Sequence, residues 1–179
     1  MTPRLTWLTA LLFILLKGIS PAMSADRPTR IAFVDTGNTG RSVTSEALAA
    51  EIIARTRLNA QVISRAVDFN PYNIHPEENF VTLLDQRGIH IAAHQAVQFG
   101  PQEAKFSDVI LTMTDAHKAW VATHYPDAKD KVFTLAEYAT GAHQEVLDAF
   151  GKPLDFYQTV LAQLDQLIGA AVAKATIKP

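Results

Sequence analysis

Between Arg30 and Ala47 the chain reads Arg-Ile-Ala-Phe-Val-Asp-Thr-Gly-Asn-Thr-Gly-Arg-Ser-Val-Thr-Ser-Glu-Ala, and no other stretch restricts the fold so tightly. Ile31 to Val34 is a short apolar run of the kind that makes a strand buried on both faces. Two glycines and an asparagine follow, ending at Arg41-Ser42. Beyond them Val43, Ala47, Ala50 and Ile53–Ala54 fall on one stripe of a helix from Ser42 to Arg57, with Ser42 or Thr44 as its cap. A strand that enters a Gly-rich loop and leaves it as a helix gathers backbone N–H groups at the helix N-terminus. That is a site for a phosphate or another oxyanion. Thr36, Gly37, Asn38, Thr39, Gly40, Arg41 and Ser42 are its candidate residues, and Arg41 adds a planar, permanently charged fork matched to phosphate oxygens.

The remainder alternates in the same way. Gln61 to Ser64 reads as a strand, Glu77 to Arg87 as a helix stopped by Gly88, and Phe106 to Met113 as a segment holding the buried strand Val109-Ile110-Leu111. Thr114 to His124 reads as a helix begun by Thr114 or Asp115. Lys131 to Leu135 is a fourth strand and Leu154 to Ala173 a closing amphipathic helix. Such alternation argues for an α/β domain with a parallel sheet. Ligands of such sheets lie at the carboxyl ends of the strands, where Asp35 to Arg41 fall.

At 179 residues, 48% apolar and 19% charged, the chain has material for one ordinary core. Its net charge of −2 gives no support for nucleic-acid binding. It contains no cysteine, which excludes disulfides, thiolate zinc sites and every thiol mechanism. Arg4 followed by the apolar run Leu5 to Leu16, the stop at Lys17, Gly18 and Pro21, and the small residues Ala22 to Ala25 read as a signal peptide over residues 1–25. The run is shorter than the roughly 20 residues needed to span a bilayer. The expectation is a secreted, periplasmic domain of residues 26–179, with an uncleaved anchor as the alternative and no membrane contact after cleavage. An exposed low-pKa thiol is readily oxidised in that compartment, and a carboxylate is not.

Taken in order, several stretches resemble the low-molecular-weight protein tyrosine phosphatases. Gly37, Asn38, Arg41 and Ser42 match that family's phosphate loop, and Glu46-Ala47 the helix after it. Ser64-Arg65-Ala66 resembles its second strand end. Gln86 to Ile91 with His94, and Asp108 to Thr114 with His117, resemble its middle segments, and Asp148-Ala149-Phe150-Gly151 with Tyr157 resembles its acid loop. The resemblance covers residues 30–168. It implies a single-domain, three-layer fold with a four-stranded parallel sheet flanked by helices, and Asp148 as general acid to the leaving phenolate. No cofactor and no metal are expected. Arsenate reductases share the fold but need thiols. The departures concern chemistry: Asp35 stands at the position of the family's nucleophilic cysteine, Gly40 where many members carry a second cysteine, Ala149 in place of proline after the acid, and Val43 where proline or threonine is frequent.

Asp35 therefore decides the function. The family's thiolate is also anionic, so charge alone settles nothing, but aspartate reaches one atom further and can place an oxygen where a phosphoryl oxygen belongs. An ion pair between Asp35 and Arg41 would then fill the site. These considerations favour a phosphatase-like protein that keeps a phosphate-shaped pocket for phosphate or a phosphotyrosine-like ligand, with weakened or absent turnover. One alternative is an active phosphomonoesterase using Asp35 as nucleophile and Asp148 as acid, since aspartate does form phosphoenzymes, commonly with Mg²⁺. Asp68, Asp85, Asp115 and Asp148 are the carboxylates whose position bears on it. Another is an anion- or partner-binding module. Asp35-Thr36-Gly37 also matches the aspartic-protease signature, but such enzymes are β-rich and need a second carboxylate. His75, His94, His117, His124 and His143 have no metal-ligand spacing and are expected on the surface or in caps. Tyr72, Trp120 and Tyr138 read as core or rim aromatics, with Tyr72 able to line an entrance.

Overall fold

The computed structural model describes residues 27–177; the expected signal segment lies outside them. The strands are β1 (Thr29–Asp35), β2 (Ala60–Ala66), β3 (Val109–Thr112) and β4 (Val132–Thr134), all parallel in the order β2-β1-β3-β4. Around them lie α1 (Arg41–Thr56), α2 (Glu78–Asp85), α3 (Pro101–Phe106), α4 (Asp115–His124), α5 (Leu135–Thr140) and α6 (Leu154–Thr176). The expected four-stranded parallel sheet is the one observed.

Alternation along β1 explains the layers. Ile31 and Phe33 point to one face and enter a core with α1, α2, α5 and α6 through Val43, Leu48, Phe80, Leu84, Leu161 and Leu164. Ala32 and Val34 point to the other and pack with Phe99, Ile110, Val121, Ala128 and Val132. All four side chains are fully buried. The chain runs from β1 outward to β2 and then returns to β3 on β1's other side. The crevice at β1's carboxyl end is thus the switch point of the topology.

Three short elements depart from the sequence reading. Phe106 belongs to α3, not to a strand, and Leu135 opens α5 instead of ending β4. A 3-10 segment, Pro126–Lys131, leads into β4. Thr134 caps α5 in a box with Glu137, and α3 opens with Pro101 at its first position while Glu103 accepts the N–H of the N-cap Gly100 at 3.2 Å. Neither Ser42 nor Thr44 caps α1. Both lie buried inside the helix, whose N-cap is Gly40.

Candidate active site

The cap that α1 lacks in its own sequence comes from the end of β1. Asp35, 3% exposed, accepts the Asn38 N–H on Oδ1 at 2.6 Å and the Ser42 N–H on Oδ2 at 2.8 Å. With no acidic residue in the first turn of α1, this carboxylate is the charge that meets the positive helix end. Asn38 makes the reversal possible by standing at φ 57°, a conformation asparagine tolerates better than most residues. Its side chain is fully buried and hydrogen-bonded at both its nitrogen and its oxygen. Nδ2 donates to Ser42 Oγ at 3.0 Å, Oδ1 accepts the Val97 N–H at 3.0 Å, and His94 Nε2 lies 3.1 Å from its carbonyl. The N–H groups of Gly37, Thr39 and Gly40 find no acceptor among the described residues. The candidate loop residues 35 to 42 are therefore brought together as expected, with a carboxylate already seated on their floor.

The expected Asp35–Arg41 ion pair does not form. Arg41 is buried and turns to the loop before α6, where Nη2 is 2.9 Å from Asp148 Oδ2 and Nη1 donates to the Val146 carbonyl at 3.3 Å. The reason is geometric: both Asp35 oxygens are engaged by loop amides below, and the long guanidinium stem reaches past them. Asp148, 57% exposed at its side chain, also accepts the Phe150 N–H at 3.1 Å.

Two histidines expected in surface or capping roles brace the loop. His94 holds Asn38, and buried His117 has Nε2 2.9 Å from Thr36 Oγ1. Burial, assisted by Arg41, holds the His117 imidazole below the usual histidine pKa, against the opposing pull of Asp35 and Asp148. Thr114 caps α4 by accepting the His117 N–H at 3.2 Å.

The loop opens into a cavity of about 280 Å³ bordered by Asp35, Arg41, Asp68, Glu77 and Asp148, with Asn70, Asn73 and Phe150 at its mouth. A cavity of about 530 Å³ between α3 and Tyr125–Lys131 shares none of these groups. Of the carboxylates weighed around Asp35, the fold brings in Asp68 and Asp148. Asp85 pairs with His90 and Asp115 with His143, outside the cavity lining. Tyr72 is 97% exposed beside Asn70 and Asn73.

Sequence reading missed Glu77 as a site residue, placing it only at a helix start. Its N–H donates to the Thr39 carbonyl at 2.8 Å, and its Oε2 accepts the Tyr157 hydroxyl. Burial drives its pKa above the usual glutamate value. The Tyr157 hydrogen bond opposes that rise, Asp148 and Asp35 add to it, and Arg41 opposes it. Tyr157 is itself raised, by burial and then by Glu77. Pro76-Glu77 carries no local signal for this role.

The open loop amides, the buried guanidinium of Arg41 and the rim carboxylate of Asp148 stand around one cavity, with Asp35 at the base of the loop. The family model for low molecular weight phosphotyrosine protein phosphatase matches residues 30–178. A protein-arginine-phosphatase of Bacillus subtilis is 39% identical over 139 residues, 77% of this chain and 91% of that one. The low molecular weight protein-tyrosine-phosphatase PtpB of Staphylococcus haemolyticus is 34% identical over 140 residues, 78% and 95% of the two chains. Among solved structures, a mutant of the arginine phosphatase YwlE carrying a phosphorylated active-site serine in place of cysteine superposes with TM-score 0.77 at 35% identity. It covers 81% of this chain and 94% of that one. The chain belongs to the low-molecular-weight phosphotyrosine protein phosphatase family.

Proposed function

We propose that this protein is a phosphatase-fold domain that binds phosphorylated protein side chains and turns them over weakly or not at all. The observation that carries the reading is the seat of Asp35, whose two oxygens take loop amides that otherwise serve an attacking group and its phosphoryl oxygens. Arg41, the fork for the oxyanion, rests on Asp148, so the residue that would protonate a leaving group is engaged in an ion pair. The free amides of Gly37, Thr39 and Gly40 with Arg41 remain to hold the ligand. Because relatives are named as phosphatases of arginine and of tyrosine, both phosphoarginine and phosphotyrosine peptides are the ligands to test.

A second reading has one observation in its favour. In the YwlE mutant an oxygen nucleophile at the cysteine position carries a phosphoryl group, which supports Asp35 as a phosphoryl acceptor. Turnover would then need Asp148 to leave Arg41 and, as the protonated acid, donate to the leaving atom.

The deciding experiment is hydrolysis of an aryl phosphate and of phosphoarginine by residues 26–179, with and without Mg²⁺, beside Asp35→Cys and Asp35→Ala. The expected result is weak or no turnover by the wild type and clearly faster turnover by Asp35→Cys. Wild-type turnover lost in Asp35→Ala, with phosphoaspartate detected by mass spectrometry, establishes the second reading instead. Export is part of the proposal and rests on residues 4–25; N-terminal sequencing of protein from the periplasmic fraction should begin near Ala25 or Asp26.

A further inference from the structure

Neither the loop motif nor the general-acid assignment gives Glu77 a task, yet three independent contacts fix it in the cavity wall. Its N–H is tied to the Thr39 carbonyl of the loop. Its Oε2 is held by the hydroxyl of Tyr157, which is 4% exposed and packs edge-on against Phe80 with ring centroids 4.8 Å apart. Its Oε1 sits in the space left by the missing side chain of Gly40: a Cβ there would lie 2.2 Å away. The glycine admits this carboxyl to the loop. Oε1 receives no hydrogen bond from a described residue, and Glu77 and Gly40 border the same cavity.

The groups facing Glu77 make its charge matter. They are Asp35 and Arg41 from the loop and the start of α1, Asp148 from the segment before α6, and Tyr157 from α6; Asp68, just past β2, shares the cavity. The guanidinium is the one cation lining this cavity among the described residues, and it is already paired with Asp148. An oxyanion entering beside three aspartates would meet a fourth negative charge from an ionised Glu77. A neutral Glu77 removes that charge and offers an O–H donor, because Tyr157 occupies Oε2 and leaves Oε1 for the proton.

We propose that the pocket takes up a tetrahedral oxyanion together with one proton carried on Glu77 Oε1, making Glu77 a ligand-contacting residue that sets which protonation state of the ligand complex is bound. The inference deepens the proposed phosphoryl-binding role and rests on it. The direction in which burial moves the carboxyl is consistent with the geometry.

Sulfate is the appropriate probe, because its own charge is constant across the range and any proton taken up belongs to the protein. Titration calorimetry on residues 26–179, in buffers of different ionisation heat, should give close to one proton taken up per sulfate above the Glu77 midpoint. Affinity should fall about tenfold per pH unit there. Glu77→Gln should bind with little pH dependence and little proton uptake. Tyr157→Phe removes the hydrogen bond that favours the ionised carboxyl, so its loss of affinity should move to higher pH. Equal proton uptake and parallel pH profiles in wild type and Glu77→Gln overturn the role of Glu77 and place the proton elsewhere, His117 first. No sulfate binding by any of the three proteins at any pH overturns the phosphoryl-binding reading, and this inference with it.

Discussion

On one side of the pocket Asp35, Asn38 and Ser42 are no more than 3% exposed and hydrogen-bond one another across three to seven residues. On the other, Asp148 is 57% exposed at its side chain and reaches Arg41 across 107 residues. The loop wall is built first from neighbours in sequence, is braced by His94, Val97 and His117, and holds Asp35 seated without a ligand. The acidic wall is assembled from Asp68, Glu77 and Asp148, which arrive from separate segments and keep contact with water. A buried group left unpaired costs its whole desolvation penalty, whereas a carboxylate that keeps contact with water stays solvated when its partner is lost. The first wall should therefore govern stability and the second should govern what binds.

The hardest blow to that division is Asp35→Ala. It strands the buried N–H groups of Asn38 and Ser42, each at about 1–3 kcal/mol, so urea unfolding without added anion should show a loss of at least about 2 kcal/mol. Sulfate should then raise the midpoint of the variant more than that of the wild type, because the anion can replace the missing carboxylate. An equal sulfate effect in both proteins means that the anion does not seat where Asp35 sits.

Arg41→Lys comes next. Lysine keeps the charge but loses the fork that spans Val146 and Asp148. Oxyanion affinity should drop about tenfold or more, near 1.4 kcal/mol, while the unfolding midpoint moves by less than that would imply. A stability loss larger than the affinity loss would place Arg41 with the loop wall.

The acidity of Glu77 gives a smaller signal of known sign. Its folded pKa lies above the ordinary value, so the folded state binds more protons and stability falls as pH rises from the usual glutamate range. Asp108 has the opposite sign: held below its ordinary value by Arg27, with Arg30 adding to it, it contributes stability that is lost as pH falls through the acid range. Melting curves of wild type and Glu77→Gln should diverge in slope from the usual glutamate range upward and run parallel below it and above the folded midpoint of Glu77.

The same division explains what could be read in the sequence. The loop wall was legible because its main chain is set locally, by a strand, two glycines, Arg41 and a helical stripe; the bracing of Thr36 and Asn38 by His117, His94 and Val97 was not. The inner strands β1 and β3 were legible as apolar runs, since burial on both faces leaves no alternation to misread. Helices α3 and α5, each six residues long, have too few residues for a periodic stripe. Their signal was the capping box Thr134–Glu137 and, for α3, Pro101 with Glu103 two residues on. That Arg41 would choose Asp148 over Asp35 could not be read, because it depends on Asp35 spending both oxygens on amides. Glu77 was hidden for a related reason. Its place in the pocket is made by the absence of a side chain at Gly40, which reads as loop flexibility until the close approach is seen.

Gly40→Ala tests the join between the two walls and carries the smallest effect on stability. The added Cβ would overlap Glu77 Oε1 at 2.2 Å and lie 3.1 Å from its Cδ and 3.4 Å from Phe80. The obstacle is the end of a side chain, so the carboxyl can swing away, losing its Tyr157 hydrogen bond, net about 1 kcal/mol. Unfolding should shift by no more than that. Proton uptake on sulfate binding should nevertheless disappear, as in Glu77→Gln, and the double variant Gly40→Ala/Glu77→Gln should show no further loss in uptake. If Gly40→Ala instead unfolds the protein as severely as Asp35→Ala, the carboxyl is not free to move. Glu77 then belongs to the rigid wall, and the line between a fixed cradle and an adjustable acidic face has to be drawn on its far side.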